Sequence, residues 1–211
     1  MKINKILVFL MIISILGTIF VYSSLPERIP GHFNFKGEVD RYDDKISVFF
    51  TALLPLAIYL LMLFLPKIDP KRKSYQKHKK AYDISKTIMV IFMVMLHWVI
   101  ILYSLGFNID VGIIVRVGVG ILFIVLGNFM SQIRHNYFFG IKTPWTLSNE
   151  TVWKKTHRVG AFSFIVAGLI MIASSPFSGI MAQASLITAI AVAALYPIVY
   201  SYIVYRKISK E

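Results

Sequence analysis

His32 lies shortly before Asp40, Asp43 and Asp44, and these side chains could in principle hold a metal. Their spacing matches no compact ligand pattern, so a solvated acidic loop is the simpler reading. His97 and Arg116 fall inside long apolar runs. An ionisable group there marks a wet cavity, a proton path or a polar joint between helices. His135 and His157 bracket most of the polar stretch HNYFFGIKTPWTLSNETVWKKTHRVG. The chain has no cysteine, which excludes disulfides, thiolate metal sites and a cysteine nucleophile. It also lacks HExxH, GxSxG and an acidic pair within an apolar run. No catalytic residue, bound metal or cofactor is indicated.

What must position these residues is a membrane protein. Of 211 residues, 57% are hydrophobic and only 16% charged. A soluble domain carries about 45–50% apolar and about 25% charged residues. The net charge of +13 could suggest nucleic acid, but in so apolar a chain it reads as membrane topology, with no direct nucleic-acid binding. Six segments have the length and apolarity of a span: Ile6–Tyr22, Ser47–Leu65, Thr87–Leu105, Val111–Met130, Val159–Ser175 and Ala182–Val204. The first resembles a signal peptide, with a weak cleavage site at Val21-Tyr22-Ser23, but its apolar stretch is long enough for an uncleaved helix. Unpaired backbone is not tolerated in lipid, so an all-α, polytopic fold of six transmembrane helices is expected.

Basic residues set the expected orientation. Lys2 and Lys5, the eight between Lys67 and Lys86, the five from Arg134 to Arg158, and Arg206, Lys207 and Lys210 fall on one side. Arg28, Lys36, Arg41 and Lys45 fall on the other. Both termini are therefore expected in the cytoplasm, N-in and C-in. The expected organisation is a two-helix domain over 1–66 with an outer loop at 24–46, a basic cytoplasmic loop at 67–86, and a four-helix domain over 87–211 with a cytoplasmic elbow at 131–158. Pro55 and Pro197 should kink their helices. Gly120 and Gly127, with Gly160, Ser163, Ala167 and the alanines from Ala189 to Ala194, offer small surfaces for close packing.

Two loops carry most of the information. In the outer one, His32-Phe33-Asn34-Phe35 and Glu38-Val39-Asp40 alternate about Lys36-Gly37, the pattern of a small hairpin. In the elbow, Tyr137, Phe138, Phe139, Trp145 and Trp153 are expected at headgroup level. Gly140 and Pro144 favour a fixed turn, and Ser148 is placed to cap a helix that begins near Asn149. Trp153, His157, Gly160 and Phe164 share one face of that helix.

Asn128, Asn136, Gly140, Thr143-Pro144-Trp145-Thr146-Leu147-Ser148, Trp153, Thr156-His157 and Gly160 resemble the signature of the SdpI family of bacterial membrane immunity proteins. LPERIPGHFNFKGEVD is similar to a membrane domain of unknown function that often precedes that signature. Lys142 departs from the Arg of the pattern, and a lysine does not reproduce a bidentate fork. The resemblance implies protection against a secreted hydrophobic killing peptide. It also implies signalling through a cytoplasmic winged-helix autorepressor held at the bilayer. The partner and signalling residues implied are Asn136, Gly140, Lys142, Thr143, Pro144, Trp145, Trp153 and His157, with His97, Arg116 and Asn128 as intramembrane polar groups and His32, Asn34, Gly37 and Asp40 in the outer loop. The competing reading is a small-molecule or ion transporter, or a membrane enzyme, built on His97 and Arg116.

Overall fold

The computed structural model describes residues 3–34 and 36–210. Lys2 and Phe35, which entered the orientation and hairpin expectations, lie outside the described residues. Six helices are long and apolar enough to cross a membrane. They are α1 (Lys5–Val21), α2 (Val48–Ile68), α4 (Lys79–Ser104), α5 (Val111–Met130), α7 (Glu150–Ala173), and a last span made of α8 (Gly179–Ile190), a π turn (Ala191–Leu195) and α9 (Tyr196–Ile208). Strands β1 (Arg28–Phe33) and β2 (Val39–Asp44) separate α1 from α2. The short helices α3 (Ser74–Lys77) and α6 (Pro144–Ser148) lie in the α2–α4 connection and in the elbow.

Polar side chains start three of the long helices. Asn4 accepts from the backbone N–H groups of Ile6 and Leu7, Asp110 from Ile113, and Asn149 from Thr151 and Val152. Each satisfies N–H groups that the helix itself leaves unpaired. The cap of α7 is thus Asn149 and not the expected Ser148. Ser148 ends α6, where its hydroxyl donates to the carbonyl of Trp145.

The outer loop forms the expected hairpin, antiparallel with Arg28 opposite Asp44 and Ile29 opposite Asp43. The Asn34 side chain accepts from Lys36 and Glu38, and Gly37 takes the positive φ of 83° that the turn requires. Leu25 and Ile29 are buried with Val48 and Ile101, which fastens the hairpin to the ends of α2 and α4. Its tip reaches the other half of the molecule, where Gly37 lies against the backbone of Gly112 at the start of α5.

The helices form two groups with α4 between them. Leu7, Met11, Tyr59, Val90 and Val94 make one core from α1, α2 and α4. The third span therefore supplies the core of the N-terminal half, although the expected organisation placed it with the C-terminal helices. It also packs on α5. In the second group α7 is central and packs on α5, α8 and α9. Small residues set that contact. A Cβ added at Gly120 would meet the Gly168 carbonyl oxygen at 2.8 Å, and one at Gly127 would meet that of Ala161 at 2.8 Å. Lipid tails are as apolar as the helices, so such close approach supplies dispersion contact that the hydrophobic effect does not. Ala167, Met171, Ala189 and Ala193 continue the surface into the last span. Pro197 lies just beyond the π turn there, which accommodates its missing N–H. Large side chains such as Ile6, Phe20, Phe50 and Ile187 point outward, as they should in lipid.

The expected basic loop at 67–86 is mostly helical. Lys67 and Ile68 finish α2, and Lys79 to Lys86 begin α4. Lys86 is buried, ion-paired to Asp83 at 3.0 Å and 5.5 Å from the Tyr59 ring centroid.

Candidate functional site

The elbow after α5 closes on itself through Asn136, which is wholly buried. Its amide nitrogen donates to the carbonyls of Arg134 (2.8 Å) and Phe139 (2.9 Å). Its oxygen accepts from the N–H groups of Phe138 (3.0 Å) and Phe139 (2.7 Å). One side chain thus replaces the ladder that a helix or strand would have supplied.

The connection between α2 and α4 grips this loop. Asp69 is buried, and its carboxylate accepts from the N–H groups of Lys71 (2.7 Å) and Tyr137 (2.9 Å). The Tyr75 hydroxyl lies 3.0 Å from Asp69 Oδ2 and 3.2 Å from Asn136 Oδ1, so one proton faces two acceptors. Burial and then the Asp69 charge raise the Tyr75 pKa, which keeps that proton in place. Lys71 Nζ donates to His135 Nδ1 at 2.7 Å, and the Arg134 N–H donates to His78 Nδ1 at 3.1 Å. Both imidazoles accept on Nδ1 and are neutral, with the proton on Nε2. Burial lowers the pKa of both, that of His78 to about 4, and the neighbouring cations Arg134 and Lys71 add to the effect. Asp69, Tyr75 and His78 escaped sequence reasoning. A lone acid beside a proline in a basic segment was the available signal.

The second half of the elbow closes on α7. His157 Nδ1 donates to the Trp153 carbonyl (2.9 Å), and Nε2 accepts from the Ile141 N–H (3.0 Å), which fixes the tautomer. Gly140 adopts φ 111°, and a Cβ there would fall on His157 Nε2. Trp153 stacks on His157 with centroids 4.1 Å apart and lies tilted against His135 at 4.9 Å. Trp153 is not the headgroup anchor expected. It is fully buried, with Nε1 donating to the Ile133 carbonyl at 2.9 Å. An indole satisfied in this way packs as core.

Thr143 caps α6 in a reciprocal box with Thr146, and Pro144 takes the first helical position, where no N–H is needed. Thr143 Oγ1 also lies 3.0 Å from Ser201 Oγ of α9, and Trp145 packs on Tyr202 at 5.0 Å. The elbow thereby reaches the last span. Lys142 is exposed and donates once, to the Phe138 carbonyl at 3.1 Å.

The other expected residues lie apart from this clasp. His97 is buried, with Nε2 2.8 Å from Thr18 Oγ1 and Nδ1 2.9 Å from Thr51 Oγ1. It joins α1, α2 and α4 and has no nitrogen free for a substrate. Arg116 makes no ion pair with Asp110, which caps α5, although both side chains lie beside Gly112. Arg116 Nη2 donates to the Ser175 carbonyl just past the end of α7 (2.8 Å), where a cation suits the helix dipole. Asn128 lies in the last turn of α5 and is exposed. His32 Nδ1 pairs with Asp40 Oδ1 at 2.6 Å across the exposed hairpin. No group of three metal-ligating side chains occurs among the described residues.

Six apolar helices around a closed polar clasp define a multi-pass membrane protein whose conformation is fixed where the connecting segments meet. The chain belongs to the SdpI/YfhL protein family, whose pattern matches residues 132–201, from the elbow through α7 and α8 into α9. A domain of unknown function, DUF1648, matches residues 9–64, from α1 through the hairpin into α2. The chain is 31% identical over 209 residues, 99% of both chains, to the immunity protein SdpI of Bacillus subtilis (strain 168). This full-length similarity supports a membrane immunity function at the cell membrane. No solved structure matches the chain significantly.

Proposed function

We propose that the protein confers resistance to a secreted hydrophobic killing peptide, acting by binding and not by catalysis. The full-length similarity to an immunity protein carries this reading. The site chemistry agrees with it, because each clasp imidazole makes a hydrogen bond within the fold that catalysis would disturb. The hairpin face meets the peptide, and the clasp lies on the opposite, cytoplasmic face with both termini. The 18 basic residues on that side against 4 on the other support this orientation.

The clasp also suits the protein to signalling. It joins the α2–α4 connection, the elbow, α7 and α9, so a peptide that shifts α5 against α7 changes what the cytoplasmic face presents. A winged-helix repressor is the partner that reading calls for. Expression in a peptide-sensitive bacterium tests the first part through survival. Co-purification of a repressor only after peptide exposure tests the second. Protection without any repressor capture would restrict the function to immunity.

A further inference from the structure

A groove of about 510 Å³ runs along the contact of α5 and α7 at the clasp end of the molecule. Its upper part is cationic and polar, lined by Asn128, Ser131, Arg134, Lys154 and Arg158. Deeper in, Ala161, Phe162 and Ile165 take over. Lys154, Arg158 and Phe162 recur every fourth residue and so follow one face of α7. Lys154 is paired to Glu150 at 2.9 Å. Arg134 and Arg158 have no acidic partner among the described residues, and both are exposed. The Arg134 backbone is held at both ends, its N–H on His78 and its carbonyl on Asn136, so its guanidinium projects from a fixed base.

We propose that this groove is a site for an anionic phospholipid, with Arg134 and Arg158 binding the headgroup phosphate. Two unpaired guanidinium forks facing one groove suit phosphate oxygens, which they can bind bidentately. An inorganic phosphate or an acidic protein surface would use only the upper part. A diacyl lipid also accounts for the apolar walls below and for Phe162, which is 69% exposed on the membrane-facing surface. The ligand touches the segment that carries the clasp, so lipid composition acts on the geometry of the elbow.

The test uses the full chain in mild detergent, with binding of phosphatidylglycerol and phosphatidylcholine read by native mass spectrometry. Phosphatidylglycerol is expected to bind in preference, and the double variant Arg134→Gln/Arg158→Gln to bind it roughly tenfold more weakly. Equal binding of the two lipids overturns the proposal. So does an equal loss in Lys73→Gln/Lys77→Gln, which removes the same charge from exposed positions elsewhere. Displacement by inorganic phosphate at matched concentration would show a small-anion site instead. Phosphatidylglycerol with a photoreactive acyl chain supplies a readout on the unaltered protein. Labelling of the segment around Phe162 and Ile165 supports the site, and labelling confined to other helices contradicts it.

Discussion

His157 Nε2 accepts the Ile141 N–H at 3.0 Å in space that exists because Gly140 carries no side chain. The neighbouring residue thus supplies the donor, and the glycine supplies the room. Gly140→Ala should both strain the backbone at φ 111° and push the imidazole away. The expected loss is about 1–3 kcal/mol from strain alone. Thermal unfolding in detergent checks this, and an unchanged melting temperature would contradict the geometry.

Asn136→Asp keeps the shape of a buried residue and removes both of its donors. The Arg134 and Phe139 carbonyls would then face a carboxylate, with Asp69 close by. A loss of at least about 1–3 kcal/mol is expected. Exposed Lys77→Gln should remain within about 0.5 kcal/mol of the parent. Unfolding measurements on the two variants should therefore separate clearly.

Stability should fall on acidification. The folded-state pKa of His78 is lowered to about 4, below the value of about 6.5 for a free imidazole. The unfolded chain therefore takes up the proton first as pH falls. The contribution is fully present above about pH 6.5 and is lost progressively toward about pH 4. His135, lowered in the same direction, adds to the slope. His78→Asn leaves an acceptor near the Arg134 N–H without a titrating ring, so its stability should vary less between pH 7.5 and pH 5. An equal slope in parent and variant would show that His78 does not titrate in this way.

Gly127→Val places bulk against the Ala161 carbonyl and Ile165. It should separate α5 from α7 and cost about 1–3 kcal/mol, as overpacking does. Reduced protection at unchanged membrane abundance would show that this contact matters to function as well as to folding.

The spans were legible because lipid imposes length and composition on a helix, and the hairpin because Lys36-Gly37 interrupts two alternating runs. The motif around Thr143-Pro144-Trp145 marked the elbow, but not what holds it. Asp69, Tyr75 and His78 lie about 60 residues before their elbow partners Tyr137, Asn136 and Arg134, and local pattern cannot reveal such a pairing. Trp153 was misplaced because an indole suits a headgroup belt and a buried core equally well until its N–H partner is known. The Ser175 carbonyl that holds Arg116 lies 59 residues further along the chain, beyond what local pattern reveals.

Survival of a peptide-sensitive bacterium tests the immunity function most directly, with parent, His157→Ala, Trp145→Ala and Lys77→Ala compared at matched membrane levels. The parent and Lys77→Ala should protect against a secreted hydrophobic killing peptide, and the two elbow variants should protect less. No protection by correctly inserted parent protein would contradict the immunity function. Full protection by both elbow variants, or a loss in Lys77→Ala as large as theirs, would contradict the role assigned to the clasp.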